Sequence, residues 1–264
     1  MDGRRISRRA FLAGSTGFAL GMAVGSMGLL AGCMKPEQKK QSALAREPWE
    51  YQKLSPNKAA RLAYEAYFDN YCTYSVLKGI VEQLRDRVGE PWVSFPMKAF
   101  AQFHGGVAGW GTVCGTLIGA SIPIGLVTWE PEADVYFETP ELMTSDIMRW
   151  YANTKLPQFK PEKPLRTEIK ASTVAGTPLC HISVNRWMKA EGDVGFFSDY
   201  RVERCARLAA DVAAKTVEVL NTWRDGNWNY IMMPPYMIYE TTCQENCRDC
   251  HGDSVPKVPT KGNP

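Results

Sequence analysis

Apolar residues recur at helical spacing from Lys58 to about Val88, at Leu62, Tyr64, Tyr67, Tyr71, Val76, Leu77, Ile80 and Leu84. Ser55-Pro56-Asn57 stands just before this run, a serine able to cap followed by a proline suited to a first turn, and Gly89 to Pro91 ends it. The next region, Met97 to Val127, is apolar and glycine-rich with no charged residue after Lys98, which predicts burial. Gly111, Gly115 and Gly119 fall four apart, so on a helix they would form a small-residue face that lets a second helix approach closely. Glycines and polar residues interrupt this stretch throughout, which excludes a membrane span. Thr139-Pro140-Glu141 predicts a helix start running to roughly Thr154, and residues 155–175, rich in proline and lysine, read as a loop. A short helix is expected over Leu179 to Ala190, and a strong one, rich in alanine and charged residues, over Tyr200 to Trp223. From Asp225 the chain is loop-like. There is no internal repeat and almost no strand signal. The expectation is a mostly α, single-domain helical bundle over residues 55–224 with an irregular C-terminal tail, 225–264.

The chain starts differently. A basic region precedes a glycine-rich, mildly apolar stretch from Ala10 to Gly32, the layout of an export signal. Ser7-Arg8-Arg9-Ala10-Phe11-Leu12 resembles the twin-arginine motif, and Leu29-Leu30-Ala31-Gly32-Cys33 resembles a bacterial lipobox. That resemblance implies a signal peptide over 1–32, lipidation of Cys33, a polar tether over 33–54 and a periplasmic, lipid-anchored protein. A transmembrane anchor is the alternative, and the many glycines and alanines make it a poor one. Twin-arginine export, as the resemblance implies, carries folded proteins, whereas a c-type haem is attached after export.

With 264 residues, the chain has enough length for one large domain or two small ones. Apolar residues at 45% and charged residues at 22% exclude wholesale disorder. The net charge of +3 is concentrated at the start: without residues 1–32, which hold four arginines and one acid, 27 basic and 27 acidic residues remain. A neutral body argues against nucleic acid as a partner.

Eight cysteines against three histidines is the remaining compositional signal, sparse for a disulfide scaffold and more than packing requires. Three cysteines crowd the tail. Cys247-Arg248-Asp249-Cys250-His251 is CxxCH, in which two thiols add to the haem vinyl groups and the adjacent histidine sits under the iron as proximal ligand. A zinc site through Cys243, Cys247, Cys250 and His251 is the alternative, but these ligands fall within one short stretch, whereas zinc knuckles draw on two separated pairs. A disulfide is the third reading. A second axial ligand would come from His181 or His104, since no other histidine remains. A lone histidine in an apolar stretch is more often a core residue, and only the presence of a haem raises these two. Met232, Met233 and Met237 compete, although most methionines simply fill cores. Trp228, Tyr230, Tyr236 and Tyr239 would suit the walls of a porphyrin pocket, and equally a tail packed on the bundle.

Cys72, Cys114, Cys180 and Cys205 stand on or beside four different helical segments. Their scatter excludes a zinc ribbon or a ferredoxin run, which need paired spacing, and permits one site with a thiolate from each segment. Four thiolates suit a two-iron or four-iron cluster and also zinc, while four inert buried cysteines remain the bland alternative.

Tyr71-Cys72-Thr73-Tyr74-Ser75-Val76-Leu77, then Phe103-His104-Gly105-Gly106-Val107-Ala108-Gly109-Trp110-Gly111-Thr112-Val113-Cys114-Gly115-Thr116, then single cysteines at 180 and 205, resemble the C-GCAxxG-C-C proteins over roughly residues 58–215. The GCAxxG core reads Val-Cys-Gly-Thr-Leu-Ile-Gly here, one residue longer before the last glycine. The leader and the CxxCH tail narrow the resemblance to the split-Soret cytochromes c. It implies a dimeric electron-transfer protein with bis-histidinyl haems packed near the subunit boundary and an associated iron-sulfur centre. It also implies that His181, directly after a cysteine of the pattern, and His104, where haem-free relatives usually have glycine, serve haem. One departure stands out: two haems per subunit are known in the family and this chain has one CxxCH, so one covalent haem is expected.

The function expected is therefore electron transfer, not catalysis, by an exported c-type cytochrome. Cys247 and Cys250 would anchor the haem, His251 and His181 (alternatively His104) would ligate its iron, and Cys72, Cys114, Cys180 and Cys205 would hold a 2Fe-2S cluster. The partners expected are redox proteins, a second copy of the chain and the membrane. A haem-based reductase or sensor of small ligands is the rival, and a haem-free metal-binding or thiol-redox lipoprotein is a third class. No Ser-His-Asp set, phosphate loop or paired-carboxylate site is present, and no strand precedes Gly105 to Gly111, which excludes a dinucleotide fingerprint.

Overall fold

The computed structural model describes residues 47–130, 139–239 and 252–254. The leader with Cys33, and the tail segment with Cys243, Cys247, Cys250 and His251, lie outside the described residues. The architecture is mostly helical, as the periodicity predicts. In order come α1 (Pro56–Arg87), a 3-10 turn (Met97–Phe100), α2 (Gly115–Thr128), α3 (Thr139–Asn153), β1 (Lys155–Leu156), β2 (Thr173–Val174), α4 (Cys180–Ala190), α5 (Asp199–Arg224) and the short α6 (Pro235–Tyr239). Among the described residues no helix is long and apolar enough to cross a membrane.

Sequence periodicity predicts one long helix over 58–88, and here the fold differs. Asn70 (φ −143°, ψ 27°) and Tyr71 (φ 60°, ψ −155°) break α1 into two arms, 56–69 and 72–87. The arms fold back on each other. The Ser55 N–H donates to Gln83 Oε1 at 3.1 Å, Lys58 pairs with Asp86, and a Cβ on Gly79 would meet the Ala59 carbonyl oxygen at 2.5 Å. In a single straight helix Ala59 and Gly79 would stand about 30 Å apart. The Asp69-Asn70 pair is the local signal, since both side chains compete for backbone hydrogen bonds and favour turns. The N-terminus of α1 follows expectation, with Ser55 Oγ accepting from the Lys58 N–H and Pro56 in the first turn.

The α1 hairpin packs most extensively on α5, which Ser198 caps by accepting from the Arg201 N–H. Alanines line much of this contact: Ala59, Ala60 and Ala63 on one side, and Ala206, Ala209, Ala210 and Ala213 on the other, all buried. Helix α2 packs on α1 and carries the expected small-residue face, but only from Gly115 onward. A Cβ on Gly119 would lie 2.8 Å from the Thr73 carbonyl oxygen and 2.9 Å from Val76 Cβ. Gly111 is not on that face; it precedes the helix in a turn, at φ 74°.

Two other boundaries are corrected. Part of the expected tether is core: Tyr51 and Leu54 are buried, the Trp49 N–H donates to the Leu126 carbonyl, and Asn221 Oδ1 accepts from Tyr51 OH and the Leu54 N–H. The expected loop 155–175 is pinned at both ends by the β1–β2 pair, and carboxylates accept its backbone N–H groups. Glu191 takes those of Lys170 and Ala171, Glu203 that of Arg166, and Asp211 those of Gln158 and Phe159.

Burial pushes the Asp211 carboxyl up to about 7, against the pull of those two N–H donors. The proton is thus bound more tightly in the folded chain than in the unfolded one, whose carboxyl titrates near about 4. Stability contributed by this group is therefore present below about pH 4 and lost as the pH rises through about 7. Denaturation midpoints of the wild type and Asp211→Asn check this. The wild type's advantage should shrink between about pH 4.5 and about pH 7.5, and a pH-independent difference would contradict it.

Candidate metal centre

Each of the four cysteines belongs to a different segment, and three stand at helix starts. Cys72 opens the second arm of α1 directly after the Tyr71 break, Cys114 is the N-cap of α2, and Cys180 is the first residue of α4. Cys205 lies within α5. All four are buried and none is in a disulfide. Helix starts present unpaired N–H groups and a positive dipole end, both of which favour thiolate over thiol.

A glycine-rich loop and a short extended pairing bring the segments together. Gly105, Gly106, Gly109 and Gly111 all adopt positive φ, and the loop closes on itself through Gly111 N–H to Gly105 O and Thr112 N–H to Gly106 O. A Cβ on Gly106 would meet the Thr112 nitrogen at 2.5 Å, so this crossing requires glycine. Beyond it, the Cys114 N–H donates to Pro178 O at 2.9 Å and the Cys180 N–H to Thr112 O at 2.7 Å, an antiparallel bridge that sets the two cysteines side by side. Thr73 Oγ1, beside Cys72, lies 2.8 Å from Phe103 O and 2.7 Å from Gly115 O, tying the first cysteine to the loop and to α2.

Cys114 and Cys180 are hydrogen-bonded to each other, and Cys72 feels the charge of both Cys114 and Cys205. The hydrogen bond from Cys180, with a further one from Thr116 at 3.2 Å, holds the Cys114 thiol well below the usual range despite its burial. That same bond, followed by burial, pushes Cys180 upward, while burial and then Cys114 and Cys205 raise Cys72. The Cys114 thiolate is thus favoured beside thiols at Cys72 and Cys180 whose ionisation is opposed. Among the described residues no three His, Cys, Asp or Glu side chains stand at metal-ligating spacing. As a donor set, buried unpaired thiols at helix starts suit a soft, thiolate-bound metal centre.

Residues that sequence reasoning did not single out complete the surroundings. Arg204 is fully buried and points Nη1 at Cys205 Sγ, 3.7 Å away, and Nη2 at Ser183 Oγ, 2.7 Å away. Tyr151 OH donates to Ser183 Oγ at 2.8 Å, and Tyr67 reaches Cys205. The available signal for Arg204 was its position one residue before Cys205 in a helix whose inner face is apolar.

His181 and His104 flank the same glycine-rich loop. The His181 N–H donates to Gly111 O, and a Cβ on Gly111 would come within 3.0 Å of His181 Cβ. The His181 side chain is exposed, with Asn185 Nδ2 at 3.2 Å from its Nδ1. His104 is half-buried against the Tyr71 ring, centroids 5.1 Å apart. The fully described part of the tail docks elsewhere, on α3: Asp146 accepts the Ile231 N–H, and Arg149 donates to the Met232 and Met233 carbonyls. The Met232 and Met237 side chains are exposed there.

Residues 70–219, a span that holds all four cysteines and both histidines, match the family described as "Putative redox-active protein (C_GCAxxG_C_C)". The chain is 31% identical to the "Split-Soret cytochrome c" of Desulfovibrio desulfuricans (strain ATCC 27774 / DSM 6949 / MB) over 268 residues, covering 98% of this chain and 89% of that protein. It also superposes on the structure described as "A novel iron centre in the split-Soret cytochrome c from Desulfovibrio desulfuricans ATCC 27774", with a TM-score of 0.64 at 30% identity, covering 81% of this chain and 83% of that one.

Proposed function

Because this chain belongs to the C-GCAxxG-C-C family of redox-active proteins and is a homologue of split-Soret cytochrome c, we propose that it is an exported c-type cytochrome that carries electrons through one covalent haem and a cysteine-bound iron centre. Redox function follows from the homology; the cofactors, their ligands and the location are this proposal. The observation that carries it is that four buried cysteines outside any disulfide, from four segments far apart in sequence, lie in one region near the exposed His181 and the half-buried His104.

In this reading Cys72, Cys114, Cys180 and Cys205 hold a 2Fe-2S cluster, with the Cys114 thiolate already favoured before any metal arrives. Cys247 and Cys250 anchor the haem, and His251 is its proximal ligand. His181 is the distal ligand, with His104 the alternative. A haem with both axial positions filled supplies outer-sphere electron transfer and leaves no open site for a substrate, which favours a carrier over an enzyme. His181 follows Cys180 directly, so the two centres would share a helix start. As the side chains stand, Asn185 Nδ2 donates to His181 Nδ1, which places the ring proton on Nε2. Iron ligation through Nε2 would put the ring proton on Nδ1, and the Asn185 amide would then turn its Oδ1 toward that N–H. The twin-arginine leader, lipidation at Cys33, a periplasmic location, and a dimer with haems near its interface belong to the same proposal.

The test is a reduced-minus-oxidised visible spectrum with an alkaline pyridine extract, on protein produced with c-haem maturation. One c-type haem per chain is expected, and a divided reduced Soret band would indicate stacked haems in a dimer. His181→Ala should perturb the low-spin spectrum while His104→Ala should not. A colourless product from a host that matures other c-type cytochromes removes the haem. The second reading, a haem-free thiol-redox protein, then gains from the Cys114–Cys180 hydrogen bond. Carbon monoxide binding by the ferrous protein would point to a ligand-binding haem.

A further inference from the structure

Arg204 is 1% exposed, and among the described residues no carboxylate stands within ion-pair distance of it. Its neighbours on α5 are differently placed: Arg207 pairs with Glu203 and Glu168, and Arg201 reaches the exposed Phe196 ring. Asp211, which feels the charge of Arg204, lies beyond ion-pair distance and accepts from the Gln158 and Phe159 N–H groups. Ser183, through Oγ and its carbonyl, and Cys205 Sγ are the partners of the guanidinium, and its Nε is buried with no acceptor. A guanidinium stays protonated in proteins, so this is a permanent buried cation. Leaving such a charge unbalanced is strongly destabilising. The ionisable group in direct contact with it is the Cys205 thiol, and Tyr151, Cys114 and the more distant Asp211 also share its field.

We propose that Arg204 is the built-in counter-charge of the four-cysteine site and sets the reduction potential of the iron centre held there, an inference that rests on the cluster reading above. A two-iron, two-sulfide core bound by four thiolates carries net negative charge, and one-electron reduction adds one more. A fixed cation with an N–H aimed at a ligand sulfur stabilises the reduced form more than the oxidised form, because net charge and hydrogen bonds to sulfur set such potentials. Ser183 positions the guanidinium, and Tyr151 positions Ser183.

Three variants test this in otherwise intact protein: Arg204→Gln and Arg204→Met remove the charge at similar length, and Arg204→Lys keeps it. Replacing a buried ion by an apolar residue is often tolerated, which makes the methionine variant a second route to a folded neutral site. Iron and acid-labile sulfide are assayed first, then each midpoint is measured by dithionite titration followed by electron paramagnetic resonance. The neutral variants should retain iron and sulfide but show at least a tenfold lower reduced-to-oxidised ratio at the wild-type midpoint, about 59 mV for one electron. Arg204→Lys should stay near the wild type. An unmoved midpoint in iron-loaded neutral variants overturns this inference alone, as does a lysine variant that shifts as far as they do. Absence of iron and sulfide from the wild type overturns the cluster reading, and this inference with it.

Discussion

A Cys114→Ser variant should fold normally and lose its iron and acid-labile sulfide. The position makes the two effects separable. Cys114 is the N-cap of α2 and makes no side-chain capping hydrogen bond. Serine is among the preferred residues at such a position, and its Oγ can accept from an N–H in the first turn, so local stability should be unchanged or slightly higher. The metal site, by contrast, loses the thiol held well below the usual range, the one that Cys180 and Thr116 stabilise as thiolate. A serine hydroxyl remains protonated in the same surroundings and is a harder donor than the soft metal centre favours. Loss of an outer-shell partner alone typically costs about 10–100-fold in metal affinity, and loss of a ligand should cost at least as much. Iron and sulfide assays, together with far-ultraviolet circular dichroism, decide it. Full iron and sulfide in a folded variant would remove Cys114 from the site, whatever the fate of the haem.

Gly115→Ala, one residue along, should do the reverse and damage the fold first. A Cβ there would stand 1.9 Å from the Phe103 carbonyl oxygen and 2.9 Å from Cys72 Cβ. Neither obstacle can swing aside. The carbonyl belongs to the turn that enters the glycine-rich loop and accepts from Thr73, and Cys72 is anchored at the α1 break. Overpacking typically costs about 1–3 kcal/mol, and a backbone obstacle puts this variant at about 3 kcal/mol or above. For a domain of this size that lowers Tm by about 10 °C. Gly125→Ala on the same helix is the control, since nothing lies within 4 Å of a Cβ at that position. Relief of backbone entropy there should raise stability by about 0.5–1 kcal/mol. Comparable losses in both variants would show that helix α2 tolerates no added methyl, and the specific contact with Phe103 and Cys72 would no longer explain the first.

The family motif spaces its last glycine one residue closer to the cysteine than this chain does. The structure explains why the extra residue is harmless. Gly115 and Gly119 are one helical turn apart and both face the second arm of α1, so the contact is counted from Gly115, not from Cys114. Similarly, the unbroken apolar period over 58–88 conceals the Tyr71 break, because both arms of the hairpin bury one face and each continues the 3.6-residue pattern. Only Asp69-Asn70 marked the turn, and such a pair is weak against thirty residues of agreement.

Periodicity, caps and breakers are local properties, and the helices they dictate over 139–153, 180–190 and 199–224 lie within one or two residues of where the sequence puts them. Motif chemistry is local as well: the CxxCH reading, with its proposed anchors and ligand, rests on five consecutive residues. The sequence by itself therefore determined the helical class, the family and the chemical type of the candidate sites. Tertiary structure alone decided that Cys72, Cys114, Cys180 and Cys205 are buried in one region, that Thr73 and the bridge between 112–114 and 178–180 bring their segments there, and that Arg204 is sealed in beside Cys205 with no carboxylate at ion-pair distance among the described residues. Those facts depend on which helix faces pack together across more than a hundred residues of chain. That choice is made by shape and burial summed over the whole core, and no window of sequence carries it.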